Sequence, residues 1–202
     1  MASLRIRAAL LALAPLLASC DRATLPVERA EDQLVFLRAA PGAPPLAALH
    51  AQFWAVAGVT RQVEIRYVNQ GVYAGDKCLE FTVPGNALLA LPDGHRVQPG
   101  DSVLITVDVP DPDAFRFEFQ PAGLRFDPSH PAQMRVSYKW VDPADAARAR
   151  DFAVWRREAP GEPWTRVPTS RAEDAQEVMA RVDGFSQYAL AGGHRSSPAA
   201  SE

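Results

Sequence analysis

"GDSVLITVDVPDPDAFRFEFQP", Gly100 to Pro121, is the stretch that decides the fold class. In its first half Val103, Ile105, Val107 and Val109 fall on every second residue. In its second half Phe115, Phe117 and Phe119 do the same, with Arg116 and Glu118 between them. A period of two sends successive side chains to opposite faces of a strand, so each half reads as a strand with one apolar face. The "PDPD" between them carries the residues that reverse a chain, and the pair reads as a hairpin. The three phenylalanines are expected in the core.

The same pattern extends in both directions. In "RQVEIRYV" (61–68) Val63, Ile65 and Tyr67 alternate with Gln62, Glu64 and Arg66. In "CLEFTVP" (78–84) Leu79, Phe81 and Val83 share a face. "QMRVSYKW" (133–140), "FAVWRR" (152–157) and "EVMARV" (177–182) continue it. Turn chemistry separates the runs in "VNQG", "LPDG", "QPGD", "FDPSHP" and "APGEP". Eighteen prolines spread through the chain disfavour long helices. One short helix is expected near 142–151, "DPADAARARD", with Pro143 in its first turn. Short, evenly punctuated strands predict an all-β, antiparallel β-sandwich.

The chain begins "MASLRIRAALLALAPLLASC". Arg5 and Arg7 precede an apolar run, Ala8 to Ala18, of secretory length; crossing a bilayer takes about 20 apolar residues. Leu17-Ala18-Ser19-Cys20 resembles the lipobox of bacterial lipoproteins. The resemblance implies cleavage between Ser19 and Cys20, a diacylglycerol thioether on Cys20 and acylation of the new amine. Several acyl chains on one residue suffice for stable anchoring, since each buried CH₂ contributes about 0.8 kcal/mol. Asp21 occupies the position where enterobacterial lipoproteins carry an inner-membrane retention signal, so the inner membrane is one expected location and the outer membrane the other. With the leader removed, Lys+Arg falls from 21 to 19 against 24 Asp+Glu, a net charge of −5. Such a body lacks the basic footprint that a phosphate backbone requires, and nucleic acid is not an expected partner.

The expected organisation is a leader at 1–19, a flexible tether at 20–47, a sandwich domain at 48–191 and a disordered tail at 192–202. The tether is assigned from its charged, then Ala/Pro-rich composition ("RAAPGAPPLAAL"), although "LVFL" (34–37) has the makings of a first strand within it. Cys20 and Cys78 are the two cysteines. A lipidated Cys20 leaves Cys78 without a disulfide partner, and nothing near Cys78 in sequence would depress its pKa. A Cys20–Cys78 bridge is expected only if Cys20 carries no lipid.

The order of segments "FTVPGNALLALPDG", "GDSVLITVDV", "FEFQPAGLRFDPSHPAQMRVSY", "WRREAPGEPWTRVPT" and "DGFSQYAL" resembles the zona-occludens-type (ZU-five) β-sandwich of ankyrins, netrin receptors and many bacterial surface proteins. The resemblance covers roughly Trp54 to Leu190. It rests on the corner Pro121-Ala122-Gly123-Leu124-Arg125-Phe126-Asp127-Pro128, a Trp strand and the closing Phe-Ser-x-Tyr-Ala. It implies a sandwich that works by protein contact. Members with death domains cleave themselves between Phe and Ser of a His-Phe-Ser motif by an N-to-O acyl shift. Here the aligned residues are Gly184-Phe185-Ser186, and the activating His is missing. Phe185 and Tyr188 are therefore expected to plug the sandwich end and Ser186 to cap a turn.

Other candidate sites are weaker. Gly100-Asp101-Ser102 is similar to the G-D-S block of a hydrolase family, and Asp127-Pro128-Ser129-His130 has that family's D-x-x-H spacing. Those enzymes place the Ser after a parallel strand of an α/β fold, whereas this tripeptide turns into a strand among other strands. His50, His95, His130 and His194 are scattered, without the spacing of a metal site. Asp108, Asp111 and Asp113 supply oxygens suited to Ca²⁺, or simply the solvated carboxylates of a hairpin. No metal or other cofactor is expected. Trp164, Trp155 and Trp140 form the candidate ligand or partner surface, Trp164 first because it borders the turn "APGEP". The expected function is a lipid-anchored, non-enzymatic envelope module that binds another envelope protein. The alternative is a glycan-binding module using surface Trp residues, and a third reading is self-processing at Phe185–Ser186.

Overall fold

The computed structural model describes residues 26–68 and 75–194. Their first strands are β1 (Glu28–Arg29), β2 (Leu34–Phe36), β3 (His50–Val56), β4 (Arg61–Arg66) and β5 (Lys77–Val83). Then come β6 (Leu88–Ala90), β7 (Ser102–Asp108), β8 (Arg116–Gln120), β9 (Arg125–Phe126) and β10 (Ala132–Ser137). A helix, α1 (Pro143–Arg148), leads into β11 (Ala149–Arg157), β12 (Trp164–Arg166), β13 (Thr169–Ala172), β14 (Glu177–Val182) and β15 (Gln187–His194). The larger sheet has the order β1-β12-β11-β15-β8-β7-β3, with β2 also paired to β15. The smaller runs β13-β14-β10-β5-β4, and β6 and β9 form a separate ribbon. All of these pairings are antiparallel. The fold is all-β and sandwich-like.

The core forms where the apolar faces of the two sheets meet. Ile105, Val107, Phe117, Phe119, Val154 and Leu190 face inward from the larger sheet; Leu79, Phe81, Met134, Val136, Val178 and Val182 do so from the smaller. Phe119 and Phe81 bridge the layers with ring centroids 4.8 Å apart, and Phe185 stacks against both at 5.2 and 5.6 Å. Full burial of such side chains contributes about 1.5–3 kcal/mol each.

The helix stops at Arg148, within the expected range but shorter than it. Asp142 caps it by accepting from the Ala144 N–H at 2.7 Å, and Pro143 opens it. From Ala149 the chain pairs with β15 instead, through a bulge between Arg150 and Ala153 in which Asp151 has φ of 48°. That bulge presses on Gly192, where a Cβ would lie 2.6 Å from the Arg150 carbonyl oxygen. Glycine is required there by close approach.

Two expected boundaries are corrected. Residues 26–47 are built into the body and do not form a flexible tether: β1 pairs with β12, β2 pairs with β15, and Leu34, Val35 and Leu37 are buried. The cause is an unfilled edge. β8 pairs with β15 only along Gln187–Ala189, and β2 takes the free stretch from Ala191 to Gly193. Even the proline-rich stretch is strapped down, since Ala47 N–H donates to the Arg66 carbonyl and Val68 N–H to the Pro45 carbonyl, both at 2.8 Å. At the other end Gly192, Gly193 and His194 belong to β15 and are not part of a disordered tail. The leader, Ser19, Cys20, Asp21 and residues 195–202 lie outside the described residues.

Candidate functional site

The closing segment Gly184–Tyr188 is locked from several sides. Phe126 N–H donates to the Asp183 carbonyl at 2.9 Å and Phe185 N–H to the Leu124 carbonyl at 3.1 Å. The Tyr188 hydroxyl donates to the Gly184 carbonyl at 2.5 Å. Phe185 and Tyr188 are buried as expected, in one aromatic cluster with Phe119. Ser186 is also buried, and its Oγ accepts from Arg156 Nε at 2.8 Å, while the same guanidinium reaches Glu158 at 2.6 Å. A seryl nucleophile needs a neighbour that takes its proton. Arginine keeps its own proton, and burial pushes the Tyr188 hydroxyl upward, so that it too stays protonated. The pairing therefore fixes the strand entry and does not activate the hydroxyl.

Among the remaining sequence candidates, the carboxylates of Asp101, Asp108, Asp111 and Asp127 are engaged by nearby partners. Ser102 is exposed at the start of β7, and Asp101 accepts from the Gln98 N–H at 2.8 Å. Asp127 accepts from the Ser129 N–H and lies 3.6 Å from His130 within one exposed turn. The Ser129 N–H, followed by the His130 ring, holds the Asp127 carboxyl below its ordinary range. Of the three candidate calcium ligands, Asp108 pairs with His50 at 2.7 Å and Asp111 accepts from the Asp113 N–H at 3.0 Å. Among the described residues no three His, Cys, Asp or Glu side chains gather in a way that would hold a metal ion. Cys78 is buried on β5, and burial pushes its thiol up to about 11.

The tryptophans require the main correction. Trp164 and Trp155, two of the three proposed surface residues, are 1% and 3% exposed. They lie with Leu34, Ala189 and Ala191 in a second apolar cluster, separate from the main core. The N-terminal segment covers them. The Phe36 ring meets Trp164 edge-on at 5.3 Å and the Arg157 guanidinium stacks on it at 4.6 Å. Trp155 donates through Nε1 to the Ala191 carbonyl at 2.8 Å. Trp140 is half-buried, edge-on to Tyr67 at 6.4 Å.

The exposed tryptophan is Trp54, at 58%. It stands on β3, the last strand of the larger sheet, directly opposite Leu104, which is 37% exposed. The two form an apolar pair on the solvent face while Phe53 and Ile105, their neighbours in sequence, pair on the core side. A signal for this lay in "FW" itself: adjacent aromatics in a strand face opposite ways, so one must leave the core. Compared with protein-family models, curated proteins and solved structures, the chain matches none. No helix among the described residues is long and apolar enough to cross a membrane.

Proposed function

We propose that the chain is a lipid-anchored protein of the bacterial cell envelope whose non-catalytic β-sandwich acts by binding another envelope protein. The anchor reading is supported by Leu17-Ala18-Ser19-Cys20 behind a secretory apolar run. The binding reading is carried by the Trp54–Leu104 pair, a large aromatic and an aliphatic side chain held in register on the outer face at a sheet margin. Interfaces are enriched in such rigid aromatic anchors, and tryptophan dominates their energetics. A cross-linking amino acid placed at Leu104 tests it in intact envelopes. The expected product is one discrete adduct that fades in a Trp54→Ala background and is absent when the cross-linker replaces Arg171 on β13. Equal adducts from both positions, or none, would reject the assigned face.

A glycan-binding reading attaches to the same exposed indole, because a sugar ring stacks on a Trp face. Quenching of fluorescence by peptidoglycan fragments that disappears in Trp54→Ala and persists in Trp140→Ala would favour it over the protein partner.

A further inference from the structure

The described chain enters the body beside a cluster of arginines. Val27, exposed, accepts through its carbonyl from the Arg166 N–H at 2.8 Å, and Arg29 follows on β1. Arg29, Arg150 and Arg166 line one cleft of about 130 Å³ beside Trp155, together with Asp151 and His194. The Arg29 guanidinium occupies the space above Gly193. None of the three arginines has a carboxylate partner among the described residues; Arg38, Arg61, Arg96, Arg125, Arg171 and Arg181 lack one as well, but here three such side chains line a single cleft. All three are exposed.

We propose that this cluster docks the sandwich onto the anionic headgroups of the membrane that carries the anchor, an inference that rests on acylation of Cys20. Six residue steps separate Cys20 from Pro26, a reach of at most about 20 Å. An anchored body is therefore held with its Arg29 end towards the bilayer. Its net charge is acidic, so an anionic surface repels most of it and selects the face where unpaired cations collect. Exposed Val27 adds an apolar group at that margin. Each arginine near an anionic surface contributes about fivefold to partitioning, so three together shift the docked population by about 100-fold.

The lipidated chain in nanodiscs of phosphatidylcholine, with or without phosphatidylglycerol, provides the test. Hydrogen exchange at residues 27–29, 150–151 and 193–194 should slow only in the phosphatidylglycerol discs. The protection should vanish at high salt and in the triple variant Arg29→Gln, Arg150→Gln, Arg166→Gln, whose melting curve reports that it is folded. Equal exchange in the two kinds of disc, or full protection in the triple variant, would overturn the proposal. So would the same protection produced by inorganic phosphate on phosphatidylcholine discs, which would assign the cluster to a soluble anion. Intact mass of the same sample separates the two readings. An unacylated Cys20 removes the anchor, and sedimentation of that protein with phosphatidylglycerol vesicles then decides the headgroup contact alone.

Discussion

Glu31 and Arg157, 126 positions apart in the chain, are joined by a 2.6 Å ion pair that pins the N-terminal segment across the larger sheet. The other carboxylate oxygen of Glu31 meets Arg116 at 3.1 Å, so one side chain clasps β11 and β8 together. Arg157 extends the network to Gln187, which donates to Glu118 at 2.7 Å. Burial by itself raises the Glu31 carboxyl, but Arg157 and Arg116 outweigh it and hold the group below its ordinary 4.5. A carboxyl depressed on folding contributes stability above its unfolded pKa and loses it as pH falls through the folded value.

Glu31→Gln is therefore expected to destabilise the protein near neutral pH by about 1 kcal/mol, the upper end for a pair with one half-exposed partner. The deficit should shrink below pH 4.5 and close in more acidic solution. Parallel denaturant titrations of both proteins across that range measure it, and a gap that stays constant with pH would show that the clasp is not electrostatic.

Phe119→Ala removes the ring that meets Phe81, Phe185 and Tyr188 between the sheets. The expected loss is about 3–5 kcal/mol. Trp54→Ala, on the outer face, should change stability by no more than about 0.5 kcal/mol. Comparable losses at the two positions would mean that Trp54 is packed in solution and is not a docking residue.

The difference between those two aromatics marks how far the sequence could be read. Alternation identifies the inner faces of β5, β7, β8, β10 and β14, because a period of two survives wherever one face meets the core. It cannot tell which outer faces are covered by something else. Trp164 borders a turn and reads as exposed, yet Phe36 and Leu34 lie over the cluster it shares with Trp155. That cover comes from a segment whose prolines and alanines read as a tether. Its strand character depends on half an edge of β15 left open by β8, a long-range fact absent from local composition. The arginine cluster was invisible for the same reason, since Arg150 and Arg166 lie on the consecutive strands β11 and β12 and only the long-range pairing of β1 with β12 brings Arg29 beside them.

Cys78 should behave as a core residue. With its thiol pushed up to about 11, about 0.1% is thiolate at pH 8, and burial bars reagents from that fraction. Alkylation in buffer is expected to be slower than in denaturant by at least about 1,000-fold. Native labelling at anything near the denatured rate would indicate that β5 opens readily, contrary to its central place between β10 and β4.

Ser186→Ala tests the role of the closing segment. The substitution removes the acceptor for Arg156 Nε but leaves that guanidinium its Glu158 partner, so the half-buried guanidinium loses one bond of two. A loss of about 1–2 kcal/mol follows from the deleted charge-assisted hydrogen bond. Chain integrity carries the sharper distinction. If Ser186 only secures the turn into β15, wild type and variant both migrate as one band after prolonged incubation, and only their melting points differ. A wild-type chain that divides between Phe185 and Ser186, with the variant intact, would mean that the hydroxyl acquires a base in solution. In that case Arg156→Ala should speed the division, because freeing Oγ from a donor that never deprotonates leaves its lone pairs available for attack on the Phe185 carbonyl.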